Sequence, residues 1–339
     1  MSVRSRLQLI HSDDDMKLVV TIDTEEDNWL PYSRNGYTTT NALRLPRLQQ
    51  LFSGFGIRPT YLVTYQMVTQ PDSAAVLRDL HRSGGCEIGA HCHPWSQPPH
   101  DEQPVIENSM LCNLPAELQA RKIEHLHQAI QDRLGVTPVS FRSGRWGYSP
   151  AVAATLAALG YTVDSSITAR TDWSDCHGPD FSRVSSKPYR FDPTDIYRPK
   201  QDGCMLEVPG TVGYLQRQST LCHSVYEGIR RTPLRHFRLI GLLERARLLN
   251  RVSLTPELSE PGEMAALLAS LKQQGESLAT LWFHSSTLIP GVAPRVLNER
   301  DVDVFLGKLG QFFEMTRTMG IDSITLAETP VQMTADMQS

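Results

Sequence analysis

The segment TIDTEEDNW (21–29) places an acid at the end of an apolar run. Burying Asp23 there is unfavourable unless the carboxylate is paired or ligates a metal. Alternation along an extended chain puts Asp23 and Glu25 on one side; a solvated acidic loop capping a helix is the other reading. In EIGAHCHPW (87–95), His91 and His93 also share one strand face and could hold a metal ion through their imidazole nitrogens. Without context, a pair of partly buried histidines explains them equally well. His284 follows three apolar residues in LWFH (281–284). Burial and neighbouring carboxylates can move an imidazole across neutral pH, which suits a general acid; a core histidine with satisfied hydrogen bonds is the alternative. Two acids and two histidines at two strand mouths favour metal-assisted hydrolysis more than either motif does alone.

A second group of residues could orient or bind. Arg142, ending the strand in FRSGRWGYSP (141–150), carries a fixed charge that could align Asp23 or hold an anionic substrate. Gly144 and Gly147 let the backbone approach a ligand. Trp146 offers a flat face to a sugar, and Trp95 is a second candidate substrate-binding aromatic; a structural loop with an aromatic in it is the alternative for Trp146. Asp164, in TVDSSI, is a third candidate for substrate binding, or a supporting acid paired with an arginine. His125 and His127 lie on an amphipathic helix and are expected to face solvent. Arg230, Arg231, Arg235, Arg238, Arg245 and Arg247 form a basic patch, read as a solvated helix face or as an attractor of acidic glycan. No G-x-S-x-G, P-loop or G-x-G-x-x-G occurs, so serine-hydrolase and nucleotide-binding readings lack support.

These residues sit on a pattern of alternating short strands and amphipathic helices. Strands are predicted at 17–23, 58–65, 86–93, 139–142, 161–166, 205–210, 278–284 and 321–326. Helices are predicted at about 41–53, 72–83, 115–134, 149–159, 220–250, 261–274 and 300–318. Residues 168–200 are rich in Asp, Ser, Pro and Arg and read as a long loop over the mouth of the fold, a length that is usually functional. Seven or eight strand–helix units without a linker predict one α/β domain over 16–329, with an insertion at about 168–260. The fold class is a single distorted (β/α) barrel of about seven strands, with catalytic groups at the C-terminal strand ends. Residues 1–15 and 330–339 are expected to be flexible termini.

The 339-residue chain is long enough to build a full core without disulfides or structural metals. Its net charge of −4, with no long block of either sign, argues against a basic surface for nucleic acid or anionic membranes. No apolar stretch approaches the ~18–20 residues of a transmembrane segment. The six scattered cysteines read as reduced thiols. The first residues lack an apolar signal-peptide region, so a cytoplasmic location is expected. The oligomeric state is left open.

The order TIDTEED, EIGAHCHPW, FRSGRWGY, VDSS and FHSS resembles the polysaccharide deacetylase family (NodB-homology domains, carbohydrate esterase family four) over roughly 16–329. The resemblance implies a distorted (β/α) barrel that removes acetyl groups from N-acetylated sugars using a divalent metal, usually zinc. Asp23 resembles the family's general base, His91 a metal ligand, Arg142 the arginine that orients the base, and His284 the general acid. The family's second aspartate falls on Thr24 and its second histidine on Trp95. Glu25 and His93 are therefore the substitutes expected to complete the metal site. Members with D-x-E and H-x-H-P-W segments imply a carbohydrate substrate, a bacterial surface-glycan or exopolysaccharide intermediate. Two other readings stay open: a metal-independent, allantoinase-like hydrolase of another C–N bond, and a glycan-binding relative without turnover.

Overall fold

Leu18, Val19, Val20 and Ile22 are all fully buried, and such a run is accommodated only by a strand covered on both faces. It forms β1 (Lys17–Thr24), at the heart of a mixed sheet. The computed structural model describes residues 16–28 and 32–336; the expected flexible segment at 1–15 lies outside them. After β1 come α1 (Leu45–Gly54), β2 (Thr60–Val63), α2 (Tyr65–Thr69), α3 (Pro71–Arg82) and β3 (Glu87–Cys92). Next are α4 (Ala116–Leu134), β4 (Ser140–Ser143), α5 (Pro150–Ala158), β5 (Val163–Asp164), β6 (Tyr189–Asp192) and β7 (Asp195–Pro199). The chain continues through β8 (Met205–Glu207), β9 (Val212–Tyr214), α6 (Ser219–Arg230), α7 (Leu239–Arg245) and β10 (Arg251–Ser253). It ends with α8 (Pro261–Gln273), β11 (Leu278–His284), α9 (Glu299–Thr318), β12 (Asp322–Ile324) and α10 (Thr329–Asp336).

Strands β11-β1-β2-β3-β4-β5-β8 follow one another in the sheet and run parallel. The start of β1 also pairs with β12. The outer side of β11 is tied to the far end of the sheet by irregular segments. Thr211 N–H donates to the Thr280 carbonyl, and Trp282 N–H to the Leu254 carbonyl, each at 3.2 Å. The result is the expected α/β architecture, a sheet curled into a distorted barrel. Its outside is covered by helices such as α9, whose Val302, Phe305, Leu309, Phe312 and Phe313 face the core at helical spacing. Asn298 and Asp301 start that helix with a reciprocal capping box.

Four expectations are corrected. Residues 168–200 are not all loop: β6 and β7 form an antiparallel hairpin on the edge of the sheet. Phe191 and Ile196 are its buried anchors, hidden in a composition dominated by Asp, Pro and Arg. The predicted helix 220–250 is broken, because Pro233 starts a separate turn between α6 and α7. His127 does not face solvent; it is buried, with Nδ1 3.2 Å from the Tyr161 hydroxyl, whereas His125 is exposed. Residues 329–336 form α10 rather than a flexible end. Among the described residues, no helix is long and apolar enough to cross a membrane. All six cysteines are free.

Parallel strands deliver their C-terminal ends to one rim. Register places Asp23 beside His284 and His91 beside Arg142 across neighbouring strands. Four of the predicted site residues are thus adjacent before any side-chain detail is considered.

Candidate active site

Asp23 leaves the end of β1 and is almost fully buried. Its Oδ1 accepts from Arg142 Nη1 at 2.6 Å, the pairing predicted for Arg142. Arg142 is itself wholly buried, and its Nε and Nη2 donate to the Ser165 carbonyl and hydroxyl, both at 2.8 Å. A guanidinium so tethered cannot swing away from the carboxylate. Burial alone would raise the Asp23 pKa, but Arg142, His91 and His284 outweigh it and hold the carboxyl below its ordinary range. Asp23 is therefore ionised at neutral pH.

The ligand-type atoms of Glu25, His91 and His93 lie within 4.8 Å of one another. Glu25 Oε2 is 3.2 Å from His93 Nε2 and 3.8 Å from His91 Nε2. The other ring nitrogens have partners of their own. His91 Nδ1 is 3.0 Å from the Arg142 carbonyl, which can only accept, so Nδ1 carries the proton and Nε2 is left bare toward Glu25. His93 Nδ1 faces Glu26 Oε1 at 3.3 Å, and Glu26 in turn accepts from the Thr64 hydroxyl at 2.7 Å. A carboxylate behind a histidine is the usual support of a metal-binding imidazole. Burial pushes His91 down to about 3, whereas the Glu26 and Glu25 carboxylates overcome burial and carry His93 up to about 9. Burial raises Glu25, and Ser286 Oγ donates to its Oε1 at 3.3 Å. One carboxylate and two imidazoles suit a zinc-like ion, and these residues fit it on donor chemistry, with His91 already in a ligating tautomer and His93 having to give up a proton. Thr24 turns away: its hydroxyl donates back to the Ile22 carbonyl at 3.0 Å.

His284 closes the opposite wall. Its Nε2 stands 3.9 Å from Asp23 Oδ2, and its Nδ1 is 2.9 Å from Glu257 Oε2. Glu257 also accepts from the His284 backbone N–H at 3.0 Å and from the Thr287 hydroxyl at 2.7 Å. Burial opposes the imidazolium, but Glu257, Glu25 and Asp23 outweigh it and raise the His284 pKa well above its ordinary value. The ring is accordingly a protonated donor at neutral pH.

Asp23, Glu25, His91, His93 and His284 line one cavity of about 190 Å³ together with Trp95, Trp146 and Trp173. Trp95, at the position where the family's second histidine was sought, stacks on His93 with ring centroids 4.2 Å apart and braces that ring. Trp146 is buried 5.0 Å from the Arg142 guanidinium and edge-on to Trp282. It is presented by a turn in which Arg145 and Trp146 both have positive φ, 54° and 61°, backbone strain of the kind that gathers at functional sites. Gly144 is required here, since a Cβ would lie 2.6 Å from the Cys92 carbonyl and 2.7 Å from His93 Cδ2. The indole N–H groups of Trp95 and Trp173 are buried without an acceptor.

Two predicted site residues, Arg142 and Asp164, do not line the cavity; Arg142 reaches it through Asp23, whereas Asp164 makes no contact with a cavity carboxylate or imidazole. Asp164 is fully buried and accepts from Ser166 N–H at 3.0 Å and Ser166 Oγ at 2.7 Å. Strand pairing sets it opposite Glu207, and burial raises both acids. Its role is to hold Ser166, whose hydroxyl accepts from Ser143 N–H at 2.8 Å under the cavity floor.

Sequence reasoning missed Glu26, Glu257 and Lys122. The Lys122 ammonium is fully buried and donates to the carbonyls of Pro94, Gln97 and Pro99 at 2.8, 2.6 and 2.7 Å. With Glu102 at 3.1 Å, it staples the Pro-rich loop that follows His93 and Trp95. A larger, mainly apolar cavity of about 640 Å³ adjoins the site and shares His284 with it.

No protein-family profile matches the chain, and no curated protein matches its sequence. Solved structures do match. A candidate polysaccharide deacetylase from Mycobacterium smegmatis aligns over 93% of this chain and 95% of its own, at TM-score 0.50 and 16% identity. A candidate glycoside hydrolase/deacetylase from Parabacteroides distasonis aligns over 94% of this chain and 71% of its own, at TM-score 0.55 and 11% identity. The chain has the distorted (β/α) barrel fold of these proteins.

Proposed function

We propose that the protein is a hydrolase that removes N-acetyl or O-acetyl groups from a carbohydrate, a surface-glycan or exopolysaccharide intermediate, by general acid–base catalysis beside a divalent cation, zinc for preference. The observation that carries this reading is the convergence of Glu25, His91 and His93 next to Asp23 and His284. Glu25, His91 and His93 would hold the cation. Bound there, it would polarise the acetyl carbonyl and the attacking water.

The remaining chemistry belongs to the side chains. Asp23, ionised and aligned by Arg142, takes a proton from the water as its oxygen bonds to the acetyl carbon. His284, protonated and held by Glu257, gives its proton to the sugar nitrogen or oxygen as the bond to the acetyl carbon breaks. Acetate and the free amine or alcohol are the products. Trp95, Trp146 and Trp173 supply flat apolar faces suited to a sugar ring. The test is acetate release from a panel of N- and O-acetylated oligosaccharides. Asp23→Asn and His284→Ala should each lower the rate by about 10²–10⁴-fold. Full turnover in either variant would overturn the assignment.

A second reading has one observation in its favour. His93, raised to about 9, is neutralised by Glu25 and Glu26 with no ion required. The same pocket would then cleave another C–N bond without metal. Activity untouched by a chelator, in protein with less than stoichiometric metal, would select this reading over the first.

A further inference from the structure

We propose that residues 231–248 form a docking surface for an anionic lipid membrane. None of these residues is buried, although they are folded as a turn, Pro233–Phe237, and α7. Large apolar side chains stand in solvent along them: Phe237 is 71% exposed, Leu242 64% and Leu248 63%. Isolated exposed leucines are ordinary, but a run of them on one projecting segment marks a surface built to be covered.

Charge selects what covers it. Residues 231–248 contain five arginines and one acid, Glu244, in a chain whose net charge is −4. At its base the segment is anchored by ion pairs: Arg230 to Asp172 at 2.7 Å, and Arg231 to Asp180 at 3.0 Å and Glu227 at 2.6 Å. Beyond them Arg235, Arg238, Arg245 and Arg247 have no acidic partner among the described residues; the Arg235 Nε contacts only His236. Leucine and phenylalanine interleaved with unpaired arginine match the boundary between anionic headgroups and acyl chains. A second copy of the chain is disfavoured, because a twofold contact would press the same arginines together. A soluble acidic glycan would satisfy the arginines but leave Phe237, Leu242 and Leu248 in water.

The surface is tied to the catalytic cavity. Asp172, the partner of Arg230, precedes Trp173, which lines that cavity with Cys176. Docking would hold the cavity wall, through one short loop, near the lipid surface, where an amphiphilic acetylated substrate would be met. The docking itself does not depend on the hydrolytic reading.

Flotation of the full chain with vesicles tests the proposal. The protein should float with phosphatidylcholine vesicles containing phosphatidylglycerol, remain behind with phosphatidylcholine alone, and be released by high salt. Arg235→Glu with Arg238→Glu should weaken partitioning by about tenfold or more. Phe237→Ser with Leu242→Ser should also weaken it, with unchanged melting temperature, since neither pair contributes to the core. The salt dependence of the unsubstituted protein gives a reading even if a variant misfolds. Equal binding to neutral vesicles, no flotation at all, preferential binding of a soluble acidic polysaccharide, or a dimer that Phe237→Ser dissolves would each overturn it.

Discussion

Glu257 reaches His284 from 27 positions away and contacts it through both carboxylate oxygens. It leads the groups that carry the His284 pKa upward, and His284 in return holds Glu257 below its ordinary range. The proposed donor works only while protonated, so turnover should fall as pH rises through the His284 pKa. Glu257→Gln keeps a hydrogen-bonding side chain but removes the charge. The folded-state pKa should drop, and the alkaline limb of kcat/KM against pH should move to lower pH, with the acidic side of the profile largely retained. A limb that stays in place would show that Glu257 only fills space. Residues such as Glu257 are hard to read from sequence, because LTPELSE looks like a solvated loop and nothing local points to a histidine in the next strand. Asp23, His91 and His284 are legible for the opposite reason: each ends an apolar run, where a polar group needs a partner. Glu25 and His93 follow from alternation alone, and the cavity does contain them.

Among elements, the strands that build the rim were readable because burial on both faces writes itself as an unbroken apolar run. Elements that cover the rim were not. The β6–β7 hairpin is anchored by few apolar residues, and β9–β10 joins segments far apart in the chain. The seam between β5 and β8 carries a testable consequence. Asp164 and Glu207 are paired and fully buried, with Asp164 pushed up to about 6 and Glu207 well above its ordinary value. Burial is the first cause for both. Folded-state values above unfolded ones mean that the pair's contribution to stability is complete below the ordinary carboxyl range. It is lost as pH rises through about 6 and beyond. Glu207→Gln keeps a donor for Asp164 and removes one of the two ionisations. The decline in melting temperature between mildly acidic and alkaline buffer should be shallower in this variant. Parallel declines in the two proteins would locate the pH dependence elsewhere.

For the whole molecule, the proposed cation site would join the ends of β1 and β3, strands that β2 separates in the sheet. Glu25 follows β1, His91 lies at the end of β3 and His93 directly follows it, with Glu26, Ser286 and the Arg142 carbonyl fixing them from behind. The unfolded chain holds no such arrangement, so an ion that binds the folded form must stabilise it by mass action. At a free concentration a hundredfold above its dissociation constant the gain is about 2.7 kcal/mol. For a chain of this size that corresponds to a rise in melting temperature on the order of a few degrees. Calorimetry with and without zinc should show the rise. His93→Ala and Glu25→Ala should abolish it, each removing one donor. Asp23→Asn should preserve it while lowering turnover by about 10²–10⁴-fold, because Asp23 is held by Arg142 rather than by the ligand cluster. That separation distinguishes loss of the base from loss of the ion. If zinc leaves the melting temperature of the unsubstituted protein unchanged while turnover continues, Glu25, His91 and His93 serve the substrate directly, and the metal-independent reading stands.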